Sequence, residues 1–102
     1  MGNLEESELP ENWVLIDSAV QGTFSDELRR ELPSGHVLLG IDAVAIARRE
    51  DRDDFLFIIE HPEYKYAQVH LTWSVETNPI WPSTNLFETV IDWKQEIIDD
   101  AW

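Results

Sequence analysis

In a chain of 102 residues, the side chains with catalytic or ligating potential are few and scattered. His70 and Thr72 stand in VHLTW, residues 69–73, each between large apolar neighbours. An imidazole in such a place can serve as a general base when a carboxylate orients it and a hydroxyl or water lies within reach. Glu60 is the carboxylate and Thr72 the hydroxyl that this reading assigns to it, as in a small hydrolase or transferase. The competing reading is a polar strand face in water. His70 alternates with Val69, Leu71 and Trp73, so it looks away from whatever those three bury against.

His36, His61 and His70 fall in three separate segments, without the i, i+4 pairing or tight spacing of a ligand set, so no metal site is expected. The run EDRDD, residues 50–54, offers Asp51, Asp53 and Asp54. A D-x-D run attracts Ca²⁺, yet the central Gly and distal Glu of a calcium loop are missing. Arg48, Arg49 and Arg52 interleave with these acids. Mutual neutralisation in a charged hairpin turn is the simpler role, and it also protects the strand pair from edge association. Gly-rich phosphate loops, a GxSxG elbow and HExxH are absent, so no cofactor is expected either. Acids are too numerous for one glycosidase-like pair to stand out.

Twenty-one acids against seven bases give a formal charge of −14. A surface with that excess repels phosphate backbones instead of displacing their counterions, which argues against direct nucleic-acid binding. Both ends are strongly negative: residues 1–17 carry five acids and no base, and residues 73–102 carry six acids against Lys94. This charge supports solubility, and it also steers encounter with a basic partner protein. Cysteine is absent, which excludes disulfides and thiolate chemistry and fits a reducing compartment. The acidic N-terminal stretch does not resemble a secretory signal, and Glu6 occupies the place where a myristoylation signal needs Ser or Thr. No apolar run approaches the roughly 20 residues that cross a bilayer. The expectation is a cytoplasmic protein without a membrane anchor.

These side chains must be positioned by one small domain. Residues 1–12 lack periodicity and read as a mobile acidic arm, with a single domain over 13–102. WVLID, residues 13–17, is a short strand or an extended segment. In TFSDELRRELPSG, Ser25 caps a helix over 24–32 that shares Phe24, Leu28 and Leu32 on one face, and Pro33 and Gly35 stop it. From Val37 the period becomes two, giving a strand of about ten residues with Ala43, Ala45 and Ala47 on one side and Val44 and Ile46 on the other. FLFIIE follows as a strand too apolar to be half exposed. HPEYK reverses the chain, and YAQVHLTW alternates as a third strand, with Trp73 on the buried side. Residues 74–85 read as a loop. Asn85 and Glu88 then match a capping box for an amphipathic helix over 85–99. The predicted fold is α+β: a three- to four-stranded antiparallel meander sheet packed against an N-terminal short helix and a C-terminal amphipathic helix.

One layer of helices leaves the second sheet face, with Tyr66 and His70, to be covered by Trp81 and the NPIWPSTN loop, by a partner or by a second copy. The string GHVLLGIDAVAIARREDRDD through FLFIIE, then AQVHLTW, then PIWPSTNLFETVIDW, resembles a group of short uncharacterised bacterial proteins. These carry an arginine-rich strand end, a VHLTW-like strand, a W/F-P-x-T loop and a closing helix with DW or EW. The likeness covers roughly residues 34–93 and implies a similar single-domain α+β fold and a bacterial origin, with no residue role to transfer. From the acidic charge and the lack of catalytic motifs, the expectation is a protein-binding domain, inhibitor-like or toxin-neutralising, that engages a basic partner. Tyr66, His70 and Trp81 would supply apolar contact, and Asp51, Asp53 and Asp54 the electrostatics. A small enzyme using His70 with Glu60 and a structural homodimer are the alternatives.

Overall fold

The period-two stretches become strands, and hydrogen bonding joins them in chain order. The structure, a computed structural model, describes residues 9–99. Its elements are β1 (Trp13–Leu15), α1 (Ser18–Glu31), β2 (Ala43–Arg49), β3 (Asp54–Ile59), β4 (Tyr66–His70), β5 (Ser83–Phe87) and α2 (Val90–Asp99). The sheet order is β1-β2-β3-β4-β5, antiparallel throughout. The fold is therefore α+β with five strands, not three or four. Residues 9–12 of the expected arm meet the body: Trp13 N–H donates to the Pro10 carbonyl, Glu50 N–H to that of Asn12, and Leu9 packs beside Trp13. Residues 1–8, and the end of the chain beyond 99, lie outside the described residues.

The added strand comes from residues assigned to a loop and a helix start. Thr84 and Leu86 pair with Val69 and Ala67, and Asn85 pairs with Gln68. Asn85 therefore caps nothing. Thr89 does, its hydroxyl accepting from Asp92 N–H at 3.1 Å, and α2 begins one residue later. The first helix also starts earlier than Ser25. Asp17 caps it by accepting from Ala19 N–H at 2.9 Å. Ser25 is buried inside the helix and accepts from the backbone N–H of Ala45 at 3.3 Å.

The two helices lie on opposite faces of the sheet. Alternation along β3 divides the core: Phe55, Phe57 and Ile59 join Leu28 of α1 with Ala43, Ala45, Ala67 and Val69, whereas Leu56 joins Trp93 of α2 with Trp13, Ala47 and Phe87. The Val69 flank of β4 therefore packs under α1, not under the C-terminal helix. Gln68 and Tyr66 face α2, and Trp93 Nε1–H donates to Gln68 Oε1 at 2.9 Å. Nor does Trp73 continue the buried row of Val69 and Leu71: β4 ends at His70, and Trp73 is 45% exposed.

A β-bulge between Ala45 and Ala47 explains why strict alternation fails in β2. Ala45 pairs with Phe57, Ala47 with Leu56 and Arg48 with Phe55, so Ile46 is an extra residue. Beyond it, Ala47 moves to the α2 face and Arg48 to the α1 face. There the Arg48 guanidinium lies 5.7 Å from the ring centroids of both Phe24 and Phe55.

Candidate functional site

Register brings the first chemical pair together. Asp54, first in β3, stands opposite His70, last in β4, and Nδ1 of the imidazole lies 2.7 Å from Oδ1 of the carboxylate. An ionised carboxylate only accepts, so Nδ1 carries the hydrogen of this bond. Asp54 is 7% exposed, while the His70 side chain is about half exposed. Glu60 is not the partner: it lies past the opposite end of β3, exposed, with its backbone N–H donating to Asp42. Ser83 of β5 stands on the other flank of His70 in the same cross-strand row.

Beside this pair the chain leaves the sheet in a turn held by a carboxylate from α1. Glu31 is completely buried at the last turn of that helix, where the dipole disfavours negative charge and where its neighbours Arg29 and Arg30 fit better. Backbone donors compensate it, Thr72 N–H at 2.8 Å on one oxygen and Trp73 N–H at 2.7 Å on the other, while the Thr72 hydroxyl, 3.1 Å from the first oxygen, has its single hydrogen on the closer Glu76 carboxylate. Removal from water still dominates, helped by the Glu27 carboxyl nearby, and together they push Glu31 up to about 7 against the backbone bonds that favour its charge. Glu27 goes the other way, held low by the bidentate Arg30 guanidinium. The bond from Trp73 N–H fixes a conformation that a bulky residue rarely adopts, with φ at 60°.

The same turn continues into a projecting loop whose far end is also anchored. Nδ1 of buried His36 accepts from Leu38 N–H at 3.0 Å, which makes Nε2 the protonated nitrogen, and Nε2 donates to the Pro82 carbonyl at 2.9 Å. Gly35, at φ +86°, lets its turn run against Pro79, whose Cβ lies 3.5 Å from where a glycine substituent would stand. Asn78 closes the tip by accepting from Ile80 N–H with its side chain and from Trp81 N–H with its carbonyl. Along this loop Trp73, Val75, Ile80 and Trp81 are all exposed.

Between the His70 end of the sheet and the loop lies an open depression of about 420 Å³, lined by Asp53, His70, Leu71, Thr72, Trp73, Glu76 and Trp81. Three of the six expected contact residues meet here: His70, Trp81 and Asp53. Asp54 lies under His70 as its orienting group. Asp51 remains in the hairpin turn, where the Arg49 guanidinium 2.6 Å away holds its carboxyl below the usual range. Tyr66 is at the other end of β4, half-buried beside α2.

The second sheet face is covered by α2, not by the 78–85 loop, and only in part. Val44 and Ile58, paired across β2 and β3, remain exposed. His61 has a local task, its Nδ1 accepting from Glu63 and Tyr64 N–H in the β3–β4 turn. Among the described residues, no three His, Cys, Asp or Glu side chains are grouped to hold a metal ion, and no helix is long and apolar enough to cross a membrane.

Sequence reasoning does not single out Glu31, Glu76 or Trp73 as site residues. An acid in the basic last turn of a helix is the one signal that points to Glu31, since it opposes the dipole there. Compared with known proteins, the chain matches no family model, no curated protein and no solved structure.

Proposed function

We propose that this chain is a cytoplasmic protein-binding domain, inhibitor-like or toxin-neutralising, that engages a basic partner through the loop beyond β4. The observation that carries the reading is the company Trp73, Val75, Ile80 and Trp81 keep: four exposed apolar side chains on a loop anchored at both ends, beside the carboxylates of Asp53 and Glu76. Aromatic anchors with a polar, charged rim are the usual composition of a binding patch. Preorganisation by Glu31 and His36 lowers the ordering cost of association. A net charge of −14 selects for partners of opposite sign and accelerates their encounter.

The test uses the immobilised full chain and two variants, Trp81→Ala and Ile80→Ser, against cell lysate at low and rising salt. A basic protein captured by the wild type is then purified and its affinity measured. Retention that falls with salt and with either substitution is expected. Retention indifferent to both substitutions removes the loop from the interface.

A second reading rests on one observation, the 2.7 Å Asp54–His70 contact at the edge of a depression. An imidazole oriented in this way is a general base for a hydroxyl or water. Ester hydrolysis by the wild type that disappears in His70→Gln would support it, and equal background rates for the two proteins would remove it.

A further inference from the structure

We infer that the depression between β4 and the 73–82 loop receives one cationic side chain, a guanidinium, presented by the partner. This rests on the docking reading and narrows it to a chemical group. At about 420 Å³ the space is of the size that takes a small group or side chain. Its lining contains two indoles, Trp73 and Trp81, and two carboxylates, Asp53 and Glu76, but neither Lys nor Arg.

Each class of occupant meets this lining differently. An anion is repelled by Asp53 and Glu76. A purely apolar group would strip water from those carboxylates and return nothing. A guanidinium satisfies both demands, since its edge donates to carboxylates while its plane stacks on an aromatic ring. The acceptors are in place. The Asp53 carboxylate makes no ion pair among the described residues, and Glu76 accepts from Thr72 Oγ1 at 2.7 Å and keeps further lone pairs.

The Trp73 indole is held before any ligand arrives, by its backbone N–H on Glu31 and by edge contacts with Phe24 and Phe55, centroids 6.5 and 6.2 Å away. At Trp81 it is the backbone that is held, by the Asn78 turn and the His36 bond to the Pro82 carbonyl. A guanidinium is preferred to an ammonium because acceptors are spread around the depression, and five planar donors reach more of them than one compact charge does.

The experiment titrates N-acetyl-arginine methylamide into the full-length, ¹⁵N-labelled chain while the indole N–H resonances are followed. N-acetyl-lysine methylamide and neutral N-acetyl-glycine methylamide serve as comparison probes. Saturable shifts at Trp73 and Trp81 are expected with the arginine probe, weaker binding with lysine and none with glycine. Asp53→Asn, an exposed change that leaves the fold intact, should weaken the arginine probe by about fivefold or more, in the range of a desolvated cation contact. Trp81→Ala should do the same. Shifts no larger than those of the glycine probe, or arginine affinity unchanged in Asp53→Asn, would overturn the inference. If partner capture depends on Trp81 while the arginine probe does not bind, the docking reading survives and this inference falls. Arginine binding with capture indifferent to Trp81 supports a guanidinium site and removes the docking role of the loop.

Discussion

On the α1 face the sheet is sealed by a broad set of aliphatic and phenyl side chains, from Ile16 and Leu28 to Phe57, Val69 and Leu71. On the α2 face the buried set among the described residues is smaller, and the one completely buried side chain they show on its helix is Trp93, which packs edge-on to Trp13 with centroids 5.0 Å apart and donates to Gln68. The difference lies in coverage. On the α2 face the Val44–Ile58 pair at one end and the His70 side chain at the other are left open. The proposed docking loop begins at that second end, where the burial along β4 stops.

Emptying each core in turn challenges this contrast most severely. Phe57→Ala removes a ring from the middle of the α1 face and should cost about 3–5 kcal/mol, read as a lower urea midpoint for the whole domain. Trp93→Ala removes a larger side chain, but the loss should remain local: reduced helical circular dichroism and altered Trp13 emission, with amide protection retained in β2, β3 and β4. Equal loss of protection across the sheet in both variants would show that the faces do not separate.

A smaller effect, on the α1 side, is read through pH. Glu31, ordinarily near 4.5, is pushed up to about 7 in the fold, so the native state holds this proton more tightly than the unfolded chain. Its contribution is complete below the unfolded value and is lost as pH rises through the folded one. Gln cannot ionise, so Glu31→Gln should gain on the wild type between pH 5 and pH 8, by up to roughly 3 kcal/mol at about 1.4 kcal/mol per pKa unit. Denaturation of both proteins at the two pH values measures it. A difference that stays flat would place the carboxyl in contact with water. Smallest is Gln68→Leu, which leaves the Trp93 indole N–H without an acceptor and should cost about 1–2 kcal/mol, again by urea denaturation.

Sequence alone reveals the parts whose signal is local. β3 is continuous apolar sequence because Phe55, Phe57 and Ile59 bury on one face and Leu56 on the other, with Ile58 alone exposed, and β4 shows its alternation openly. The start of α1 is obscure because SAVQG carries no apolar stripe and includes exposed Gly22, so helix formation there depends on the Asp17 cap and on the packing of later turns. β5 is hidden for a different reason. Asn85 and Glu88 imitate a helix cap, and five residues become a strand only because β4 offers them an edge.

The site divides in the same way. His70, Asp53 and Trp81 can be picked out by residue type, whereas the partner of His70 depends on register: nearness along the chain favours Glu60, but the β3–β4 hairpin pairs position 54 with position 70. Glu31 and Thr72 are 41 residues apart and meet only through the fold.

The irregularity at Ile46 sets a rule for changes in chain length. Excising that residue would leave 43–45 and 47–49 opposite their present partners, because it is the one unmatched position in the strand. Excising Val44 instead would press Ile46 into the regular ladder and exchange the hemispheres to which Ala45 and Ile46 belong. Loss of a residue at 46 therefore keeps the faces of this strand, while the same loss two places earlier puts Ile46 among the α1-side residues and Ala45 on the other face.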